Sequence, residues 1–146
     1  MTGEKAVIVH PNPDTVAKAT AARLLLAILD AQAVRTSVHV ALTGGTVGTK
    51  TLVEIARSEL LGAIDWSGVH LWWGDDRFVP KDDDDRNEKQ ARAALIDGLP
   101  IPSANVHALP AADEVADLDA GRLFPGSWSA WSADRKRPVA IGPDPR

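Results

Sequence analysis

The chain has 146 residues, 45% of them hydrophobic, a formal net charge of −4 and no cysteine. This length and apolar share suit one domain with a sizeable core and exclude a disordered chain, and no stretch approaches the ~18 apolar residues of a membrane span. Without cysteine there is no disulfide, thiolate metal site or cysteine nucleophile, and MTGEKAVIVHPNP lacks the apolar block of a secretion signal, so a soluble cytoplasmic protein is expected.

From the N-terminus, KAVIVH reads as a short buried strand ending near His10. Asn12 stands as a helix N-cap with Pro13 at the first helical position; Ala22, Leu25, Leu26 and Leu29 then recur at i, i+3, i+4 and i+7 as one apolar face. VHVAL (38–42) is a second strand, TGGT a tight loop, and TKTLVEIARSELL a second helix. VHLWW is a third strand, apolar as a strand covered by helices on both faces would be. The loop DDRFVPKDDDD leads to a third helix, NEKQARAALID, ending near Gly98. These alternations predict an α/β, Rossmann-like three-layer fold with a mainly parallel sheet. PIPSANVHALP has room for one short strand at NVHAL, and AADEVADLDA starts a further helix.

Beyond residue 120 the pattern changes. GRLFPGSWSAWSADRKRPVAIGPDPR holds four prolines and no sustained period, which predicts a flexible tail over 121–146 beside a domain at 1–120. Trp128 and Trp131 argue for docking on some surface. The tail carries five basic side chains against two acidic ones, +3 of charge, which leaves −7 for residues 1–120. An acidic body does not favour nucleic acid, so any anionic ligand should be small and held locally.

Two places carry chemistry. Thr43–Gly44–Gly45–Thr46 lies between a strand and a helix, where glycines admit a ligand to the backbone, successive N–H groups point inward and Thr43, Thr46 and Thr49 add hydroxyl donors. It is neither a Walker A loop, since Thr49 stands where the second glycine is required, nor a G-x-G-x-x-G fingerprint. A glycine turn chosen only for tight geometry remains the alternative. Asp75, Asp76 and Arg77 leave the carboxyl end of the third strand, where open α/β sheets bind ligands. There a guanidinium suits a phosphate or a developing oxyanion. The paired aspartates have no repeated oxygen-ligand spacing for a cation. Asp82–Asp85 reads as a solvated loop. His39 and His70 read as packed or edge-facing strand residues, His107 sits in the proline-bounded segment, and His10 ends a strand that can line the crevice; no pair has metal spacing.

Taken together, ALTGGT after a strand, WSGVHLWWGDDRFVP, Asn87 after the acidic loop, ARAALID and IPSANVHALPA resemble the 6-phosphogluconolactonases in order and spacing over roughly residues 5–120. The wider relatives are glucosamine-6-phosphate deaminases and isomerases. The resemblance implies hydrolysis of 6-phospho-D-glucono-1,5-lactone to 6-phosphogluconate, a step of the pentose phosphate pathway, with no metal or organic cofactor and no nucleic-acid or membrane partner. Gly44, Gly45 and Thr46 match the family's phosphate-side loop. Asp75 and Arg77 match its D-E-R triplet, with Asp76 where Glu is usual, and Asn87 matches the Asn after its acidic loop. The family's second half should bring a G-x-G-x-D-G-H-x-A-S-L-F-P block whose histidine resembles the general base; here LFPG at 123–126 only echoes its end. The chain is therefore expected to be the N-terminal half of such a fold followed by an unrelated tail, with an exposed sheet edge open to self-association. Two rivals stand beside it: a deaminase or isomerase of the same fold, which the WWGDDRFVP block argues against, and a sugar-phosphate-binding remnant without catalysis.

Overall fold

The computed structural model describes residues 7–114. Helix α1 (Pro13–Gln32) opens as the sequence indicates: the Oδ1 of Asn12 accepts the Thr15 N–H at 2.8 Å, and Pro13 occupies the first turn, where its missing N–H forfeits nothing. Its buried face differs from the expected one. Ala17, Ala21, Leu25 and Ile28 turn inward, whereas Leu26 is 51% exposed. The alanines let α1 lie close against the next helix, and close backbone packing outweighs the burial of one more leucine.

Three parallel strands follow in the order β1 (Val38–Leu42), β2 (Val69–Trp73) and β3 (Val106–His107). Val40 pairs with Leu71, Leu42 with Trp73, and Leu71 with Val106. Helix α2 (Gly45–Ala56) connects β1 to β2, and α3 (Asn87–Ala94) lies between β2 and β3. The α/β class and the parallel sheet are thus as expected. The expected first strand is not: Val7–His10, its part within the described residues, pairs with no strand, and Val7 and Val9 stand almost fully exposed. An extended segment becomes a strand only through a ladder partner, and among the described residues none faces it.

Every second strand residue enters one core. Val40, Leu42, Val69, Leu71 and Trp73 meet Leu25 and Ile28 of α1, Leu52 and Ile55 of α2, and Ala91 of α3. Trp66 closes this core below β2, its indole N–H donating to the Leu61 carbonyl at 3.1 Å. The alternate residues lie on the sheet's other face, and this corrects the expectation for VHLWW. Trp72 is 42% exposed there, stacked on His107 at 3.8 Å between ring centres, while His39 stacks on His70 at 4.7 Å. Trp72 Nε1 donates to His39 Nδ1, and His70 Nδ1 lies 3.0 Å from His107 Nε2. Desolvation, then the nearby His39 and His107, holds the His70 imidazole below its ordinary pKa. Among the described residues no helix is long and apolar enough to cross a membrane. Residues 115–146, with the expected tail, Trp128 and Trp131, lie outside the described residues.

Candidate functional site

The parallel pairing sets the carboxyl ends of β1 and β2 side by side, with the Gly74 N–H donating to the Leu42 carbonyl. The glycine loop that leaves β1 and the acidic run that leaves β2 therefore meet. The loop is shorter than the sequence implies. Helix α2 starts at Gly45 itself, with Gly44 as an N-cap that offers no side-chain bond to the first-turn N–H groups. Those donors are left for a ligand, and no acidic residue stands in that turn to compete with an anion. Gly45 has φ +84°, a left-handed conformation that side chains resist. Gly44 serves a different purpose: a Cβ there would fall 1.9 Å from Asn87 Oδ1 and 2.2 Å from its Cγ. Only hydrogen fits between the loop and Asn87.

Asn87 is held from the other side by the acidic run. Its Nδ2 donates to the Asp75 carbonyl at 3.3 Å, and its N–H donates to Asp76 Oδ1 at 2.7 Å. Asp76 also accepts the Arg77 N–H at 2.7 Å and the Glu88 N–H at 3.0 Å. Arg86, the N-cap residue of α3, gives that helix no side-chain bond, so the Asp76 carboxylate caps it from a distance in sequence. Behind it lies Arg86, fully buried, 3.6 Å from Asp76 Oδ2 and 3.0 Å from Glu88 Oε2. Its guanidinium also donates to the carbonyls of Arg77 and Leu109, and Glu88 is bridged onward to Arg92 at 2.9 Å. Two positive and two negative groups thus form one balanced chain beneath the strand ends.

Above this base opens a cavity of about 440 Å³. Of the residues singled out in the sequence, Gly45, Thr46, Arg77 and Asn87 line it together. Gly44 sits just behind Asn87, and Asp75 contributes a backbone carbonyl to Asn87 while its own carboxylate is exposed outside the wall. Thr49 lines it too, its hydroxyl donating to Gln90 Oε1 at 3.3 Å. The expectation for His10 is overturned: its imidazole faces Arg23 of α1 and is absent from the wall, because no strand carries it to the crevice. Asp85, expected only as part of a solvated loop, is exposed and lines the wall as well, whereas Lys50 and Gln90 are wall residues that the sequence did not single out. Their signal was spacing, since Thr46, Thr49, Lys50 and Val53 fall at i, i+3, i+4 and i+7 on α2, and Asn87 and Gln90 at i and i+3 on α3. Among the described residues no three His, Asp or Glu side chains are disposed to hold a metal ion.

Residues 11–136 match the family model of glucosamine-6-phosphate isomerases/6-phosphogluconolactonase. The chain belongs to this family. Within it, the chain is 46% identical over 113 residues to 6-phosphogluconolactonase of Streptomyces coelicolor, covering 77% of this chain and 43% of that protein. It is also 46% identical over 120 residues to 6-phosphogluconolactonase of Mycobacterium leprae, covering 81% and 48%. The fold resembles 6-phosphogluconolactonase from Trypanosoma cruzi with a TM-score of 0.66, at 21% identity, over 83% of this chain and 46% of that one. The chain thus spans less than half the length of these relatives.

Proposed function

We propose that this cavity binds the phosphosugar of a 6-phosphogluconolactonase reaction, 6-phospho-D-glucono-1,5-lactone or its product 6-phosphogluconate. The observation that carries the reading is the meeting of the uncapped start of α2, Arg77 and Asn87 around one cavity at the strand ends. A volume of about 440 Å³ takes a hexose phosphate. In the reaction, water adds to the lactone carbonyl carbon, the oxygen becomes an oxyanion, and the ring C–O bond then breaks to give the carboxylate and a hydroxyl. Gly45 and Thr46 offer backbone N–H groups to the phosphate, Arg77 orients the substrate or steadies the oxyanion, and Asn87 fixes the hydroxyl end by hydrogen bonding. At Asp75 it is the backbone carbonyl, accepting from Asn87 Nδ2, that keeps the polar geometry.

The attacking water needs a base, and among the described residues no imidazole lines the cavity. That observation favours a second reading beside the first, a half-site that binds phosphosugar with little turnover of its own. A single experiment separates them: saturation binding of 6-phosphogluconate, then lactone loss followed against a buffer blank. Saturable binding with turnover well above the blank supports hydrolysis by this chain, and binding at the spontaneous rate supports the half-site. Equal affinity for 6-phosphogluconate and gluconate overturns both. A cytoplasmic location and self-association along the edge of β1, which pairs with no further strand among the described residues, belong to the same proposal. Along that edge a groove beside α1 is lined by Leu24, Ala27 and Val38 together with the polar Arg35, Ser37 and His39.

A further inference from the structure

We infer that Lys50 is a second phosphate-binding cation of this site, and that Asp14 is the residue that holds it in reserve. The inference rests on the phosphosugar reading above. A phosphomonoester carries about two negative charges near neutral pH. Arg77 supplies one positive charge to the cavity, and Asp85 on the same wall subtracts from it. Among the described residues that line the cavity, Lys50 is the one other cation.

Its position follows from helix geometry. Lys50 stands four residues after Thr46 on α2, one turn along the same face, so its stem rises from the wall that carries the loop. Its ammonium is now turned outward, 2.5 Å from Asp14 Oδ1 in the first turn of α1. That contact holds the Asp14 carboxyl below its ordinary pKa, through the hydrogen bond from Lys50 first and its charge second. A neighbouring cavity of about 300 Å³ shares Lys50 and Val53 with the first, so the lysine is a movable partition between two openings. Both partners of the ion pair are substantially exposed, 47% for Lys50 and 70% for Asp14, so water screens the pair and little opposes its opening. A four-carbon stem with rotatable bonds carries the ammonium from Asp14 to an arriving phosphate.

This arrangement predicts opposite effects for two substitutions that break the same ion pair. Calorimetric titration of the full chain with 6-phosphogluconate, and separately with gluconate, reads them. Lys50→Met should weaken 6-phosphogluconate about tenfold, as expected for one charged hydrogen bond. It should also flatten the salt dependence. Asp14→Asn should tighten 6-phosphogluconate, because Lys50 is freed and a repelling carboxylate is removed. Gluconate should be indifferent to both. A purely structural ion pair would move both variants in one direction, and that result overturns the inference, as does wild-type affinity in Lys50→Met. If Arg77→Met weakens the phosphosugar while Lys50→Met does not, the inference alone falls. If the unaltered chain binds 6-phosphogluconate no better than gluconate, the phosphosugar reading falls with it.

Discussion

Asp75 and Asp76 are adjacent in sequence and should behave as opposites when truncated. The Asp76 side chain is 1% exposed and accepts three backbone N–H groups, those of Arg77, Asn87 and Glu88, while facing the buried Arg86. Asp76→Ala removes the cap of α3, a loss of about 1 kcal/mol, and takes one carboxylate from a buried guanidinium, for which ~3–5 kcal/mol is typical. Arg86 keeps Glu88 and two carbonyls, which places the sum at its lower end, about 4 kcal/mol. Asp75 is exposed and only its backbone carbonyl is engaged, so Asp75→Ala should stay within about 0.5 kcal/mol of the parent. Asp76→Asn should fall between, since it keeps the size but sets an N–H against donors. Urea unfolding followed through the buried Trp66 and Trp73 measures all three. The reasoning is refuted if Asp76→Ala costs less than about 1 kcal/mol, or if the two alanine variants lose stability equally.

The glycine that separates the loop from Asn87 gives a second test: Gly44→Ala should push Asn87 out of the cavity and weaken 6-phosphogluconate in calorimetry, whereas Gly74→Ala, with open space around the added methyl, should not. In the core, Leu25→Ala should cost ~2–5 kcal/mol in urea unfolding and Leu26→Ala close to nothing, although sequence spacing assigned both to one apolar face. The stacked imidazoles on the open sheet face make stability acid-sensitive. His70 has its pKa lowered from 6.5 in the folded chain, and it faces His39 and His107 with Trp72 and Ser37 alongside. Its contribution is therefore present above the unfolded value and is lost as pH falls through 6.5 toward the lowered folded one. Thermal midpoints should drop as the pH falls below 6.5, and less steeply in His70→Gln.

What the sequence made legible was whatever local rules decide. Asn12–Pro13 announced the start of α1, alternation and flanking turns gave β1 and β2, and Gly44–Gly45 marked the loop at a strand end. What stayed hidden depends on neighbours distant in the chain. Arg86 follows four aspartates and has the look of a solvated loop, yet it is fully buried, because Asp76, Glu88 and two carbonyls arrive around it from other segments. The early strand at KAVIVH has the right composition but pairs with no strand among the described residues, and composition cannot supply a ladder. His70 and Trp72 alternate with Val69, Leu71 and Trp73, a period-two signal that an apolar reading of VHLWW blurred. Within the cavity wall, most of the residues that the sequence singled out are Arg77 beyond the end of β2 and the first residues of α2 and α3, Gly45, Thr46 and Asn87. Those it passed over, Lys50 and Gln90, lie one helical turn further along α2 and α3.

The parallel register of β1 and β2 has a kinetic consequence. Gly44 and Asn87 face each other only once the chain between them has folded back through α2 and Leu42 has found Trp73. Such non-local pairing meets its loop-closure cost before its reward, so the cavity at the strand ends should assemble late, after the transition state for folding. A phosphosugar added during refolding would then leave the folding rate unchanged and act on unfolding alone, as low-φ interactions do. At a hundredfold excess over its dissociation constant it would slow unfolding by about a hundredfold, equivalent to roughly 2.7 kcal/mol of added stability. Ligand occupancy would in that way govern the lifetime of the folded chain without hastening its birth.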